Sequence, residues 1–388
     1  MQAIAKNKKV LLRVDLNLPI KNGKIKDLSR LVAIGPTLQK LLENQCKVTI
    51  CSHLGRPNPD NFDEKLSLKH ICQVIEQMYK IECDFSEINA DDIDQKIESL
   101  NPKKVLLLEN LRKYKGEKKD DIQFSKELAS HFDEFVFDAF AVAHRKNAST
   151  HEVFNHLPSN KGILIERELK NLQPLLNGEF ENPLTVILGG KKIETKIGVI
   201  LNFITKAKFI LIGGAMANTF LKAQGFEIGK SVYEESKIDT AKGILKIASE
   251  HEAQLILPSD VVTTKDLKDP KIIEVKNVSE VKNDDYIIDI GPSTINDFQE
   301  AIKVSKTIIG NGPVGFYELP ASLQGSKSIY KTLSEHKGKT ILGGGDTIDC
   351  IRLSGISLKK FSFISTGGGA MLKYLAKDHM PALDKLNI

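Results

Sequence analysis

The 388-residue sequence contains no uninterrupted apolar run of about 18 residues, the length that a membrane-spanning helix needs. Its first ten residues, MQAIAKNKKV, are too polar for a signal peptide. The cysteines form no CxxC pair, and no histidine lies at a spacing suited to zinc, so we expect reduced, mostly buried thiols. These absences favour a cytoplasmic protein with no membrane partner. The five cysteines are Cys46, Cys51, Cys72, Cys83 and Cys350.

Arginine is scarce, because only seven of the 55 basic residues are arginine. The net charge of +5 is too small and too dispersed to predict nucleic-acid binding. A chain that takes its bulk charge from lysine and yet places arginine near a few strand ends needs the planar, bidentate guanidinium there, which suits phosphate and carboxylate. Five of the seven precede residue 150: Arg13, Arg30, Arg56, Arg112 and Arg145.

The standard nucleotide-binding motifs are also missing. The Walker pattern fails at Gly338-Lys339-Thr340, because Leu333 stands where its first glycine belongs. The dinucleotide pattern GxGxxG fails at residues 213–218, which have the wrong spacing and no acidic residue after a later strand. The HRD and DFG motifs of protein kinases are absent. The chain therefore lacks the dinucleotide-binding motif that is typical of a nicotinamide-dependent dehydrogenase.

The length and the 41% hydrophobic content exceed what one core usually holds, so we expect two domains. Strand-like apolar runs alternate with segments of helical spacing, which predicts parallel sheets. The predicted fold class is α/β, with two doubly wound parallel-sheet (Rossmann-like) domains, an interdomain helix and a cleft between them. Pro174 should end or bend that interdomain helix. In the first half the predicted strands are 10–14, 48–51, 105–108 and 135–137, and the predicted helices include 31–42 and 68–78.

Each predicted strand of the first half is followed by polar residues, three times including an arginine. The ligands of a parallel sheet gather at the carboxyl ends of its strands, so we expect one basic pocket there. Helix caps and surface ion pairs are the alternative interpretation of each cluster by itself, and His53 or His144 could be an ordinary packed histidine. The clusters are 15–19, 52–57, 109–112 and 138–145, and Arg30 in the helix-opening stretch 27–30 could reach the same edge.

In the second half, five strand-like runs end in glycine, at residues 189–190, 213–214, 310–312, 343–345 and 367–369. Glycine lets a ligand approach the backbone closely, and the helix that follows offers free N–H groups and a positive dipole end. Tight connections are the alternative, but their recurrence predicts a backbone-lined phosphate site. Lys192 and Lys196 are four residues apart and would share one face if helical, although a solvated lysine face remains possible. Asp346 is a natural magnesium ligand.

Taken together, seven motifs resemble the phosphoglycerate kinase family, in order along residues 8–385. They are RVDLNLP at 13–19, SHLGRP at 52–57, DAF at 138–140 with AHR at 143–145, GVI at 198–200, NGPVG at 311–315, GGGDT at 343–347 and STGGGA at 365–370. The sequence departs from the usual family pattern at Ala141, Val142, Asn147, Lys191 and Gly310. These departures affect the expected shape of the two sites, and none removes a group with an expected chemical role.

The resemblance implies a reversible, Mg²⁺-dependent transfer of a phosphoryl group between 1,3-bisphosphoglycerate with ADP and 3-phosphoglycerate with ATP, in a monomer whose domains close by hinge bending. It implies an N-terminal phosphoglycerate-binding domain (1–162), an interdomain helix (163–177), a nucleotide-binding domain (178–370) and a C-terminal segment (371–388) that returns to the first domain. The implied substrate residues are Asp15, Asn17, Arg30, His53, Leu54, Gly55, Arg56, Arg112 and Arg145. The implied nucleotide residues are Lys196, Gly213, Gly214, Asn311, Glu318, Gly344, Gly345, Asp346 and Thr347, with Asp346 on the metal.

The candidate site contains no general base, and the reaction needs none, because phosphate and carboxylate oxygens are already ionised at neutral pH. Catalysis must then come from positioning and from charge around the transferring group. The expected catalytic groups are Arg30, Lys192, Lys196, Gly368 and Gly369. A nicotinamide-dependent dehydrogenase and a non-catalytic phosphometabolite-binding protein are the alternatives from other classes.

Overall fold

The computed structural model describes residues 6–21, 24–270 and 272–388. Residues 1–5, on which part of the signal-peptide expectation rests, lie outside these ranges. Among the described residues, no helix combines the length and the apolar character that crossing a bilayer would require. The chain folds into two compact units, one made of the residues up to Lys170 together with His379–Ile388, and the other of Asn171–Asp378.

A six-stranded parallel sheet forms the centre of the first unit, in the order β5-β6-β4-β1-β7-β8. The next strands along the chain, β4 to β6, lie on one side of β1, and the later strands β7 and β8 lie on its other side. The strand order therefore reverses between β1 and β7. In α/β sheets such a reversal opens a crevice at the carboxyl ends of the strands. The strands of this unit, including the short ribbon β2–β3, are β1 (Lys9–Val14), β2 (Ile20–Lys21), β3 (Lys24–Ile25), β4 (Lys47–Cys51), β5 (Glu82–Ser86), β6 (Lys104–Leu108), β7 (Glu134–Asp138) and β8 (Ser159–Lys161).

The sequence of β1, KVLLRV, explains why this strand is central. Its residues are almost entirely buried, as expected for a parallel strand that is covered on both faces. Side chains alternate between the faces, so Val10, Leu12 and Val14 pack into the core with Leu31 and Ile34 of the helix at Ser29–Glu43. The same alternation turns Arg13, the charged residue in the middle of the buried run, away from this core.

In chain order, the helices up to and including the one at the unit boundary are α1 (Ser29–Glu43), α2 (Lys69–Tyr79), α3 (Ile93–Glu98), α4 (Lys115–Lys119), α5 (Ile122–Ala129) and α6 (Ile163–Asn177). The boundary between the units falls within α6, after Lys170. Pro174 lies inside this helix, which continues to Asn177, so the proline does not end it. At the start of α6, Asp138 accepts a hydrogen bond from the Ile165 amide at 3.1 Å.

A second six-stranded parallel sheet forms the centre of the other unit, in the order β11-β10-β9-β15-β16-β17. Its order reverses between β9 and β15, in the same way as in the first sheet. The α/β class with two parallel sheets is thereby confirmed. The strands of this unit, including an antiparallel sheet in the order β13-β12-β14, are β9 (Leu184–Leu188), β10 (Phe209–Ile212), β11 (Gln254–Ile256), β12 (Asp260–Thr264), β13 (Ile273–Asn277), β14 (Tyr286–Ile290), β15 (Thr307–Asn311), β16 (Lys339–Gly343) and β17 (Phe363–Ser365).

The second core is formed by Ile187, Leu211, Ile308 and Leu342 of the sheet, against helix residues such as Phe298. The C-terminal end of the chain divides between the units: residues up to Asp378 belong to the second unit and His379–Ile388 to the first, where the Ala382 amide donates to the Ala143 carbonyl. The remaining helices are α7 (Ile197–Phe203), α8 (Ala215–Ala223), α9 (Ile238–Ser249), α10 (Pro292–Val304), α11 (Gln324–Glu335), α12 (Gly345–Leu353), α13 (Gly369–Leu375) and α14 (Pro381–Lys385).

Candidate active site

Four arginines of the first unit lie within electrostatic range of His53, which is 1% exposed at the carboxyl end of β4. Burial holds the pKa of His53 well below its ordinary value, and the nearby charges of Arg13, Arg112, Arg145 and Arg30 lower it further. The pKa of Arg145 is lowered in turn, first by burial and then by Arg13, Arg56 and Arg30, while Asp15 opposes the shift. Five guanidinium groups therefore share one small region, and such a concentration of positive charge favours a bound anion.

Arg30 is fixed at the edge of this region by two acceptors. Its Nη1 lies 2.9 Å from Asp15 Oδ2 and donates to the Asn17 carbonyl at 2.8 Å. The side chain remains 34% exposed, whereas that of Asp15 is 7% exposed. Arg30 is held at one nitrogen while about a third of its side chain stays accessible, as expected of a group that binds a ligand.

The 53–56 loop is held because side chains of two other predicted substrate residues bond the backbone of Gly55. Asn17 Oδ1 accepts from the Gly55 amide at 2.8 Å, and Arg112 Nη1 donates to the Gly55 carbonyl at 2.5 Å. Gly55 has φ +61°, and the Cβ of any other residue would lie 2.7 Å from a methyl group of Leu66. Leu54 is buried and contributes packing, while Arg56 is exposed. The structure thus brings the predicted substrate residues of this unit to one sheet edge.

The contact between Arg13 and His53 determines which ring nitrogen carries the proton. Arg13 Nη2 lies 3.3 Å from His53 Nδ1, and because a guanidinium can only donate, Nδ1 must accept. The ring is neutral, so its one proton resides on Nε2. This atom is buried and has no hydrogen-bond partner among the described residues. Within the arginine cluster, His53 therefore offers an N–H donor suited to a carboxylate or phosphate oxygen.

Long-range ¹H–¹⁵N spectra of the histidine rings should show His53 as a neutral ring protonated at Nε2 throughout the range between about pH 8 and about pH 5, because burial and the surrounding guanidinium groups oppose a second proton. Protonation of both His53 nitrogens near the ordinary midpoint would contradict the deduced tautomer.

Arg13 is itself held by a buried chain of hydrogen bonds. Its Nε donates to Ser149 Oγ at 2.9 Å, and Ser149 Oγ donates to Glu117 Oε1 at 2.7 Å. The other carboxylate oxygen, Glu117 Oε2, accepts from the Ser149 amide at 3.0 Å. Glu117 is 1% exposed and supplies a negative charge to a region crowded with arginine. This chain orients Arg13, which in turn fixes the His53 ring.

Replacing Ser149 with alanine should lower the free energy of unfolding by about 1–3 kcal/mol, because it removes a hydroxyl that joins two buried charged groups. Urea unfolding followed by circular dichroism measures the change. Ser130→Ala is the matched control, since Ser130 is exposed and its hydroxyl donates to the Glu127 carbonyl at 2.8 Å, and its effect should stay within about 0.5 kcal/mol. Equal effects of the two substitutions would contradict the role assigned to Ser149.

In the second unit, the glycine turns meet at the carboxyl edge of the sheet. The turns after β9 and β15, on the two sides of the strand-order reversal, are joined because the Gly189 amide donates to the Asn311 carbonyl at 2.9 Å. Gly214 has φ +66°, and a Cβ there would lie 2.6 Å from the Gly190 nitrogen. Gly368, at the start of α13, differs: its φ is +51°, yet a Cβ would meet nothing within 4 Å. The space beside Gly368 is therefore open to a ligand.

A cavity of about 270 Å³ lies beside these turns and is lined mainly by apolar groups. Gly214, Glu318 and Asp346, all predicted nucleotide residues, are among its lining residues, as is Lys191. A largely apolar cavity that also presents bare backbone and a few polar groups suits a flat, phosphate-bearing ligand.

The two predicted lysines occupy different environments. Residues 191–196 are irregular and end in a turn, and α7 begins only at Ile197, so Lys192 and Lys196 do not share a helical face. Lys192 is exposed, whereas Lys196 is 7% exposed. Burial lowers the pKa of Lys196, while Asp346 and Glu234 oppose this shift. Lys196 is thus a buried cation within electrostatic range of the Asp346 carboxylate.

The sequence also matches known proteins along its whole length. A family model described as phosphoglycerate kinase matches residues 1–378. The chain is 40% identical over 382 residues to the phosphoglycerate kinase of Francisella philomiragia, covering 98% of this chain and 96% of that one. It is 41% identical over 381 residues to the phosphoglycerate kinase of Finegoldia magna, covering 97% and 96% of the two chains. The chain belongs to the phosphoglycerate kinase family.

The fold agrees with this membership. The structure of phosphoglycerate kinase from Coxiella burnetii matches with a TM-score of 0.88 at 35% identity, covering 100% of this chain and 97% of that chain. That from Pyrococcus horikoshii matches with a TM-score of 0.85 at 29% identity, covering 98% and 96%. As a member of the phosphoglycerate kinase family the chain is an enzyme, a phosphotransferase, and the dehydrogenase and non-catalytic alternatives are not favoured.

Two of the expected nucleotide residues of this phosphoglycerate kinase-family chain hold the glycine turns together. Asn311 Nδ2 donates to the Gly343 carbonyl at 2.7 Å. Thr347 Oγ1 donates to the same carbonyl at 2.8 Å and accepts from the Gly312 amide at 2.7 Å. Gly213 packs its Cα against Val314, where a Cβ would lie 2.6 Å from the valine side chain. Their hydrogen bonds and contacts shape the backbone around Gly344 and Gly345.

Asp346 fits the magnesium ion that the family resemblance implies. It is exposed in the first turn of α12, and the Tyr317 hydroxyl donates a long hydrogen bond of 3.5 Å to its Oδ1. Magnesium usually takes one or two carboxylate oxygens and completes its shell with water and substrate phosphates. A single accessible carboxylate beside a glycine turn meets that requirement.

The sequence-based site omitted Arg13, Ser149 and Glu117. A charged residue within the buried run KVLLRV was the available signal for Arg13, which is 1% exposed. Glu117 lies in the charged stretch KYKGEKKDD, which is typical of a solvated surface, so no sequence signal marked its burial.

Among the departures from the family pattern, Asn147 forms a reciprocal cap with Thr150, in which the Asn147 backbone amide donates to Thr150 Oγ1 at 3.2 Å.

Proposed function

We propose that this chain catalyses the reversible transfer of a phosphoryl group between 1,3-bisphosphoglycerate with ADP and 3-phosphoglycerate with ATP. The observation that carries the proposal is the cluster of five arginines, four of which act on His53, together with the buried Nε2–H group of His53, which has no partner among the described residues. A ligand with a phosphate at one end and a carboxylate or acyl phosphate at the other satisfies such a cluster better than a neutral metabolite would.

The phosphoglycerate is proposed to bind at the carboxyl edge of the first sheet. Arg112 is buried and Arg145 is half-buried, and both supply positive charge there; burial lowers the pKa of Arg112 to about 10. His53 contributes its Nε2–H group, and Arg30 completes the ligand contacts at the accessible side. Asp15 and Asn17 act by orienting Arg30 and the 53–56 loop.

The nucleotide is proposed to bind along the glycine turns of the second unit, with its flat base in the apolar cavity and its phosphates near Lys196. Asp346 would hold Mg²⁺, which in phosphoryl transfer neutralises charge on the nucleotide phosphates. Glu318 lies along the same cavity. Gly344 and Gly345 allow close approach at the start of α12, where N–H groups point toward an anion.

Catalysis is proposed to rest on charge placement without a general base. Arg30 and Lys196 would act on opposite sides of the transferring group, with Lys192 as a more exposed contributor. Gly368 and Gly369 lie beside open space at the start of α13, since a Cβ at either position would meet nothing within 4 Å, and their amides would donate to the transferring group there. Such fixed donors stabilise developing charge without reorganising during the reaction.

The two substrates are assigned to different units, so we propose that hinge closure brings them together and excludes water. Small-angle X-ray scattering should give a smaller radius of gyration with 3-phosphoglycerate and Mg-ADP together than with either ligand alone. The free protein at the same concentration is the reference. Identical radii in all these states would contradict closure.

A coupled assay tests the reaction. The purified chain is mixed with ATP, Mg²⁺ and 3-phosphoglycerate, and the acyl phosphate formed is reduced by an auxiliary dehydrogenase that consumes NADH. We expect NADH oxidation that requires all three components. A signal without the auxiliary enzyme would favour a dehydrogenase, and binding without turnover would favour a non-catalytic protein.

A further inference from the structure

Two of the five cysteines lie together on the outer side of the first unit, away from the arginine cluster. Cys72 is on α2 and Cys83 on the edge strand β5, and only three residues, Lys80 to Glu82, separate the end of α2 from Cys83. The sulfur atoms lie 3.8 Å and 3.7 Å from the same acceptor, the Asp84 carbonyl oxygen. Both side chains are partly exposed, whereas Cys46, Cys51 and Cys350 are buried.

The two thiols also contact each other. A hydrogen bond to Cys72, together with burial, raises the pKa of the Cys83 thiol. The carboxylates of Glu76 and Asp84 act in the same direction. Cys83 therefore keeps its proton, so the first attack on an oxidant is assigned to Cys72.

The surrounding structure holds the two sulfurs on facing elements. The Cys83 amide donates to Glu76 Oε1 at 3.2 Å, which ties the start of β5 to α2. Lys104 of the neighbouring strand pairs with Asp84 at 2.8 Å. A pair of thiols held in contact reacts within one molecule, and partial exposure gives a small reagent access to it.

We propose that Cys72 and Cys83 form a dithiol oxidation site, at which a hydroperoxide produces a reversible intramolecular disulfide. The Cys72 sulfur attacks one peroxide oxygen, the O–O bond breaks, and the product is a sulfenic acid with water or an alcohol as the leaving group. The Cys83 sulfur then attacks the sulfenic sulfur, its proton leaves with the hydroxyl group as water, and the S–S bond forms. Both sulfurs are oxidised by one equivalent of peroxide, and an external dithiol reverses the reaction.

The test uses the full-length native chain with one equivalent of hydrogen peroxide. We expect the loss of two of the five free thiols, a monomer mass lower by two hydrogen atoms, and recovery of both thiols with dithiothreitol. Trypsin cleaves after Lys69, Lys80 and Lys96, so peptides 70–80 and 81–96 should appear joined by a disulfide in the non-reduced digest. Oxidation spread over all five cysteines, or stopping at sulfinic acid on Cys72, would overturn the proposal.

Variants separate this pair from the other thiols. Cys72→Ser and Cys83→Ser should each abolish the intramolecular disulfide, whereas Cys350→Ala should still lose two thiols of its remaining four. Circular dichroism of each variant before oxidation establishes that it is folded. A disulfide that persists in Cys72→Ser, or that disappears in folded Cys350→Ala, would contradict the assignment.

Discussion

Replacing Arg30 with alanine should lower turnover by at least about a hundredfold, because a fixed donor aimed at developing charge contributes on the order of 3 kcal/mol. Arg30 is anchored through Nη1 by Asp15 and the Asn17 carbonyl, while its side chain stays 34% exposed. Its effect should therefore fall on the transition state, and the affinity for nucleotide should be nearly unchanged. Steady-state kinetics in both reaction directions, with nucleotide binding measured separately, provide the test.

Two further variants separate the role of Arg30 from a loss of bulk charge. Lys40→Ala removes the same charge from the other end of α1, where Lys40 is exposed, and should leave turnover within about twofold. Arg30→Lys keeps the charge but loses the planar fork, and should recover only part of the activity. Wild-type turnover in folded Arg30→Ala would remove Arg30 from the mechanism.

Replacing Lys196 with methionine should also lower turnover by at least about a hundredfold, since it removes a buried cation from the nucleotide side. Lys192→Met is the matched comparison, and its loss should be smaller because Lys192 is exposed while Lys196 is 7% exposed. Rates are measured at saturating substrates, so that altered binding does not obscure the effect on turnover. A greater loss in Lys192→Met than in Lys196→Met would reverse the ranking that burial predicts.

The same lysine should leave a signature in the pH dependence of turnover. Burial lowers the pKa of Lys196, so its charged form is lost at a lower pH than that of an ordinary lysine, and turnover should decline there. Bound nucleotide phosphates act in the opposite direction, so the effect should be greatest in kcat/KM, which reports the free enzyme. Lys196→Arg stays charged at all accessible pH values and should move the alkaline decline upward.

The sequence predicts the central strands well because a parallel strand covered on both faces is a continuous apolar run. The predicted strands 10–14 and 48–51 fall one residue short of β1 and β4 at their starts and agree at their ends. The edge strand β5, with the sequence ECDFS, was not predicted because it lacks such a run. The antiparallel strand β13 was missed for the same reason, as most of its residues are exposed.

The candidate site was predictable where residue type and topology together restrict the chemistry. Arginines after parallel strands must lie at one sheet edge, and those after β6 and β7 do so. Hydrogen-bond direction was not predictable: the proton position of His53 depends on Arg13, which is distant in sequence. Similarly, Lys192 and Lys196 would have shared a face only if their segment were helical, but α7 begins at Ile197, and only the folded structure shows that one of these lysines is buried.

Label transfer from [γ-³²P]ATP tests the central claim most directly, because it follows the phosphoryl group itself. With Mg²⁺ and 3-phosphoglycerate, the chain should move the label to the substrate carboxylate, where hydroxylamine releases it as labelled phosphate and leaves a hydroxamate of the glycerate. Arg30→Ala on the first unit and Lys196→Met on the second should each suppress this transfer. Direct transfer between ligands held by the two units would be contradicted by label on the protein. It would also be contradicted if the label appeared only as inorganic phosphate from ATP hydrolysis and no hydroxamate formed.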